Sequence, residues 1–283
     1  MSSSTLASGS PARRLRIDAR RRWFPDLREL WRYRQLVVLL GRREITTRYR
    51  QTALGTLWVF AGPIVSAGLF SFVFGRVADL PTGGVPYFVF SYAGLLAWNL
   101  FANSLSSAAT SLTANAALIT KIYFPRVAVP LSTLASTLLS TLISFGVMLF
   151  LLAVSGVGYS SQMVTLPFWL LLAIALAVGL SLVLSSISVS YRDVNYLTPL
   201  FTQFVLFLSP VAYSFEAVPS SLHTLYLLNP LTTVVEGCRW SLVGGSLAIP
   251  GWAIAYTVAV TVGLAVIGSV VFARREGGFA DVV

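Results

Sequence analysis

From Val127 to Tyr191 the chain runs for 65 consecutive residues without one charged side chain. A helix needs about 20 apolar residues to cross the hydrocarbon core of a bilayer, so this stretch has room for two crossings. It is not an isolated feature: Gln51–Gly75 and Leu80–Thr120 are also free of charge. Charged residues make up 11% of the chain against 56% hydrophobic, where a soluble domain carries about 25% charged. An ordinary cytosolic enzyme is excluded.

The charge-free gaps predict six spans, at 52–75, 85–105, 129–154, 166–189, 198–213 and 252–272. The polar run NSLSSAATSLTAN after the second continues that helix into the cytoplasm. The turn-forming segment Ser155–Gln162 separates the third from the fourth, and the short fifth is bounded by Pro199 and Pro210. The fold class is therefore an all-α polytopic membrane protein of six transmembrane helices. Residues 1–22 read as a disordered basic tail, 23–50 as an amphipathic interfacial helix, 51–275 as the transmembrane domain and 276–283 as a cytoplasmic C-terminal tail.

Charge position sets the orientation. Of the 20 Lys and Arg residues 19 are Arg, and 13 of them precede residue 51, so the basic character is a tail and no nucleic-acid surface is implied. With both termini inside, the inner segments hold 18 cations and the outer loops only Arg76 and Arg239. That asymmetry is the one cytoplasmic loops carry.

Absences narrow the function. No Asp, Glu, Lys, Arg or His falls within the six predicted spans, which argues against proton coupling and voltage sensing. His223, the only histidine, reads as solvated in the last outer loop, and no G-x-S-x-G elbow supports intramembrane hydrolysis. The phosphate loop G-x-x-x-x-G-K-[ST] is missing, so any driving nucleotide is bound by another chain. The single cysteine, Cys238, forbids an internal disulfide and a cysteine-based metal site.

Three segments carry chemistry of their own. Before the first span, PDLRELWRYRQLVVLLGRREITTRYRQ predicts a helix on the inner membrane face, capped by Asp26 with Glu29 in a capping box. Leu27, Leu30, Trp31 and Val38 form its apolar stripe, interrupted by Arg34, and its Arg residues meet anionic lipid. In the second inner loop Lys121 and Arg126 flank Ile122, Tyr123, Phe124 and Pro125, a basic and aromatic element suited to a partner's groove; an interfacial aromatic belt with two topology charges is the alternative. Between Glu216 and Gly245 the chain is too polar to span and too apolar for a free loop. Val218-Pro219 opens one short helix and Asn229-Pro230 a second, with Asn as cap and Pro in the first turn. Both are expected to dip into the outer leaflet, covered by protein as re-entrant backbone must be.

RYRQTALGTLWVFAGP (Arg48–Pro63), LITKIYFPRVAVP (Leu118–Pro130), SYRDVNYLTPLFTQFVLFLSPVAY and YLLNPLTTVVEGCRW resemble, in this order over residues 30–275, the transmembrane subunit of type-2 ABC exporters of polysaccharides. That group moves O-antigen, teichoic acid, capsule and galactan. The resemblance implies a homodimer working with two copies of a separate ATPase, which binds the ATP and Mg, so that no cofactor, metal or catalytic residue belongs to this chain. It implies a lipid-pyrophosphate-linked polymer as cargo. It also implies ATPase coupling at Lys121–Arg126 and at Arg192 and Asp193, and an outer gate at Pro219, Asn229, Pro230, Glu236 and Arg239. A sugar polymer needs flat apolar faces with polar edges, and Tyr87, Tyr92, Trp98, Phe101, Phe204, Phe207 and Tyr213 are the candidate lining. An ABC exporter of drugs or lipids would share the topology, and a membrane scaffold without an ATPase would equally lack intramembrane charge.

Overall fold

The computed structural model describes Phe24 and residues 27–49 and 57–279; the predicted tail at 1–22, the Asp26 cap and the stretch 50–56 lie outside them. Every regular element among the described residues is helical. Helix α1 (Leu27–Arg32) and α2 (Arg34–Tyr49) precede α3 (Leu57–Phe70), which continues as a π-helical segment over Ser71–Val77. Then come α4 (Tyr87–Ala114), α5 (Ala116–Lys121), α6 (Ala128–Val154), α7 (Leu166–Ser188) and α8 (Val194–Phe207). After two short 3-10 turns follow α9 (His223–Leu227), α10 (Pro230–Val243) and α11 (Gly251–Arg275).

Five segments are long and apolar enough to cross a membrane: Phe60–Val77, Tyr87–Ala114, Ala128–Val154, Ser161–Ser188 and Gly251–Gly278. The predicted fifth span is different. Its helix, α8, begins at Val194 and stops at Phe207, about 21 Å at 1.5 Å per residue against a core of about 30 Å. Pro199 lies inside the helix instead of bounding it. A proline in the second turn forfeits one backbone bond, and the Thr202 hydroxyl donates to the Pro199 carbonyl at 2.8 Å. Helix α8 turns Val194, Thr198 and Thr202 inward and leaves Tyr196, Leu197, Phe201, Phe204 and Phe207 exposed.

Helix α4 is the spine, with its apolar residues enclosed by α6, α7 and α10. Several buried hydroxyls bond back to their own helix, as Ser111 of α4 does to Ala108 at 2.7 Å and Ser132 of α6 to Val129 at 2.7 Å. Others tie helices together: Ser188 donates to the Ala109 carbonyl at 3.0 Å and the Tyr92 hydroxyl to Ser144 at 3.2 Å. Where no hydrophobic force separates protein from lipid, small residues and such bonds decide which helices meet.

The amino-terminal helix is interrupted at Tyr33, and, among the described side chains, the side that packs on the bundle shares only Leu30 with the stripe expected to meet the membrane. Trp31 and Val38 are exposed, while Leu30, Tyr33, Leu36, Val37 and Leu40 pack inward. Gly41 lets α2 approach α6, since a Cβ there would stand 2.9 Å from that of Ala135. The helix is thus docked on the bundle. On its outer side Arg34, Gln35, Val38, Leu39 and Arg42 line a shallow groove of about 410 Å³, with the Arg34 guanidinium 5.4 Å above the Trp31 ring.

Candidate functional site

Helix α10 is only 14 residues long, yet nearly all of it is buried against α4 and α7. The Asn229 side chain caps it by accepting from the Leu231 amide at 3.1 Å, and Pro230 occupies the first turn, where no donor is missed. Gly237 fits because the Trp169 ring fills the space a side chain would need.

One turn apart on α10, Glu236 and Arg239 form a buried ion pair at 2.6 Å. Its surroundings explain the stretch that follows α8. Residues 208–214 are unwound, and unwound backbone away from water needs a partner for each carbonyl. Arg239 donates to Pro210 at 2.7 Å, Val211 at 2.8 Å and Tyr213 at 3.4 Å. The Tyr87 hydroxyl donates to Ala212, the Asn229 amide to Leu208 at 3.3 Å, the Tyr213 hydroxyl to Phe207, and the Val211 amide to Ser209. All seven carbonyls from Phe207 to Tyr213 are thereby satisfied. Glu236 completes the set by accepting from the Phe215 amide at 2.8 Å, and the guanidinium lies 4.0 Å above the Phe90 ring. Gly94 is what admits it: a Cβ there would come within 2.6 Å of the guanidinium and 2.7 Å of the Val211 carbonyl.

The helix opened by Asn229-Pro230 is covered by protein, and on it Glu236 and Arg239 sit inside the helix bundle, because the pair neutralises itself and the unwound carbonyls accept from Nη1 and Nη2 of the guanidinium; the Arg239 Nε has no partner among the described residues. His223 is half-buried, with its ring 4.5 Å from Phe215 and Nε2 2.7 Å from the Val218 carbonyl, which corrects its solvated assignment. Pro219 is exposed between the two 3-10 turns.

At the opposite end of the bundle Leu40, Leu112, Ile119, Phe124, Val127, Leu182 and Phe272 form a second apolar cluster. The inner loop is divided by it. Phe124 is 3% exposed and belongs to this cluster, and Pro125 is buried too. Lys121, Ile122 and Tyr123 are exposed, the last at 54%. Arg126 donates its amide to Glu276 Oε1 at 2.7 Å and its guanidinium to the Glu276 carbonyl. Arg192 and Asp193 are exposed on the turn before α8.

With both ends described, comparison with known proteins decides the family. The model of the ABC-2 type transporter family matches residues 35–243. The chain belongs to that family. This ABC-2 chain is 29% identical over 259 residues to the O-antigen export system permease protein RfbA of Myxococcus xanthus, covering 90% of this chain and 98% of that one. It is 27% identical over 249 residues to the RfbA of Klebsiella pneumoniae, covering 88% and 95%. With the polysialic acid transport protein KpsM of Escherichia coli it shares 25% over 246 residues, covering 85% and 93%.

The aromatic residues named as candidate lining fall into two environments in this ABC-2 chain. Tyr92, Trp98 and Phe101, at 5% exposure or less, are packing groups of the α4 spine. Tyr87 is half-buried, held by Ala212. Phe204 and Phe207 are exposed on α8, and Tyr213 meets Tyr226 hydroxyl to hydroxyl at 3.0 Å. Gly94 was not predicted at all; the one sequence signal for the pair is a Glu and an Arg three apart on a helix opened by Asn-Pro.

Proposed function

We propose that this chain is the membrane-spanning subunit of an ATP-driven exporter that moves a lipid-pyrophosphate-linked polysaccharide from the cytoplasm outward. The observation that carries the reading is similarity over nearly the full length of permeases named for O-antigen export and polysialic acid transport. It favours polysaccharide over drugs or lipids, and transport over a scaffold. The chain crosses the membrane six times, with α8 and the unwound residues 208–214 together making the fifth crossing, and both termini face the cytoplasm. Support comes from the cation asymmetry and from the bonds that make the unwound stretch tolerable without water. Labelling from outside should reach a Cys introduced at Ser160 in a Cys238→Ser background and should not reach one at Ser10; the reverse pattern ends the six-span reading.

The subunit pairs with a second copy, a role that suits the aromatic face of α8, and each copy engages a separate ATPase that holds ATP and Mg. The docking element on this chain is Lys121, Ile122 and Tyr123, with Arg192 and Asp193 as further candidates. Phe124 and Pro125 support the loop from within. Truncating a residue at the centre of an interface costs about 1–2 kcal/mol or more, so Tyr123→Ala should weaken ATPase assembly about 5- to 30-fold. Purification with the co-expressed ATPase, followed by ATP-dependent uptake of polymer into inverted vesicles, tests the whole reading. Polymer uptake that ignores ATP would overturn it.

The outer gate comprises Pro219, Asn229, Pro230, Glu236 and Arg239. Asn229 joins the α10 cap to the end of α8 through its two bonds to Leu208 and Ser209, so a displacement of α8 is felt at α10.

A further inference from the structure

The chain's last described turn is fastened to the inner loop in a way the export reading does not use. Helix α6 begins without help from its own sequence: its N-cap is Val127, which has no side chain able to accept, and its first turn holds no acid. Its first amides are met by backbone, Ala128 donating to the Pro125 carbonyl at 2.9 Å and Val129 to the Arg126 carbonyl at 3.1 Å, but the partial positive charge of the helix start is left unanswered. Glu276, 150 residues away, places a carboxylate beside that end and fixes the entry to α6 by accepting the Arg126 amide at 2.7 Å, one residue ahead of the N-cap. The Arg126 guanidinium returns the contact by donating to the Glu276 carbonyl and lies 5.9 Å from the centre of the Phe279 ring. Phe279 folds back from the end of α11 to meet Phe272 edge to face at 5.4 Å, and it is only 3% exposed. The same apolar cluster contains Phe124 and Val127. A loop held on one side by its own buried Phe124 and on the other by this turn cannot shift alone.

We propose that Glu276–Phe279 is a positioning clasp, which presents the inner loop to its partner and carries the loop's displacement into both α6 and α11. The proposal rests on the reading that residues 121–123 meet an ATPase. Glu276 and Phe279 are positioning residues in it.

Two measurements separate the clasp from its parent reading. Hydrogen exchange on the isolated chain should show the amides of residues 122–131 exchanging about tenfold faster in Glu276→Ala and Phe279→Ala, as expected when an opening equilibrium loses a hydrogen bond or a buried ring, with the remaining helices unchanged. Phe279→Leu, which refills the cluster, should restore slow exchange. Polymer exported per ATP hydrolysed by the assembled complex should then fall in both alanine variants while basal hydrolysis and complex yield hold. Unchanged exchange overturns the clasp outright. Faster exchange with unaltered export per ATP, in a complex that Tyr123→Ala does uncouple, reduces the turn to a structural anchor and overturns the proposal. If Tyr123→Ala is also silent, the docking reading fails and the clasp's role in coupling fails with it.

Discussion

Arg239→Ala is expected to lose about 3–5 kcal/mol of stability, the usual cost of leaving one member of a buried ion pair uncompensated. The loss falls at one place. Glu236 would remain as a buried carboxylate, and the carbonyls of Pro210, Val211 and Tyr213 would lose the donor that now serves all three. The unwound stretch 208–214 should therefore give way before the long helices do. Heating detergent-purified protein would read this as a large drop in apparent melting temperature, and reconstituted vesicles should leak small solutes. Combining Arg239→Ala with Glu236→Gln should cost less than the two effects added, by about 0.5–3 kcal/mol, the range for directly coupled residues. Gly94→Val should imitate the defect from the other side, since its side chain would occupy the space of the guanidinium. Asn229→Ala is the mild member of the series, at about 0.5–2 kcal/mol for a lost cap. A full set of variants with wild-type melting and tight vesicles would contradict this role of the Glu236–Arg239 pair.

The second large effect is expected at the crossing of α7 and α11. Gly179 and Gly268 face each other there: a Cβ on Gly268 would press into the Gly179 carbonyl, and one on Gly179 would stand 2.7 Å from the Ala265 amide nitrogen and the Leu264 carbonyl carbon. These neighbours are backbone atoms, which cannot rotate aside as a side chain can. Overpacking typically costs about 1–3 kcal/mol, and Gly268→Val should reach or exceed the top of that range because two whole helices must separate. Size-exclusion profiles of the membrane-extracted protein would show the loss as aggregation or low yield. Gly263→Val is the control, since nothing lies within 4 Å of its added Cβ. Equal behaviour of the two variants would mean that the crossing is not set by these glycines.

Much of this molecule could be read along the chain because some of its physics is local or one-dimensional. A run of residues without charge long enough to cross a bilayer is visible in any window, so the long helices could be located approximately from charge gaps. Asn229-Pro230 opens α10 because a cap and a first-turn proline act within three residues of one another. Other features were decided in three dimensions. In a membrane protein the lipid-facing and core-facing sides of a helix are both apolar, so hydropathy does not say that Tyr92 and Phe101 face the core while Phe204 and Phe207 lie exposed on α8. For the same reason the sequence did not show which apolar residues of α1 and α2 pack on the bundle, Leu30, Leu36, Val37 and Leu40, and which, Trp31 and Val38, stay on the outer side. The inward burial of Arg239 and Glu236 depends on carbonyls contributed by Pro210, Val211 and Tyr213, on the ring of Phe90 and on the missing side chain of Gly94, and the entry to α6 is held by a carboxylate 150 residues away. Partners so distant in sequence are brought together only by packing, which is why the sequence alone could supply the helices and the tertiary structure had to decide what each polar group inside them was for.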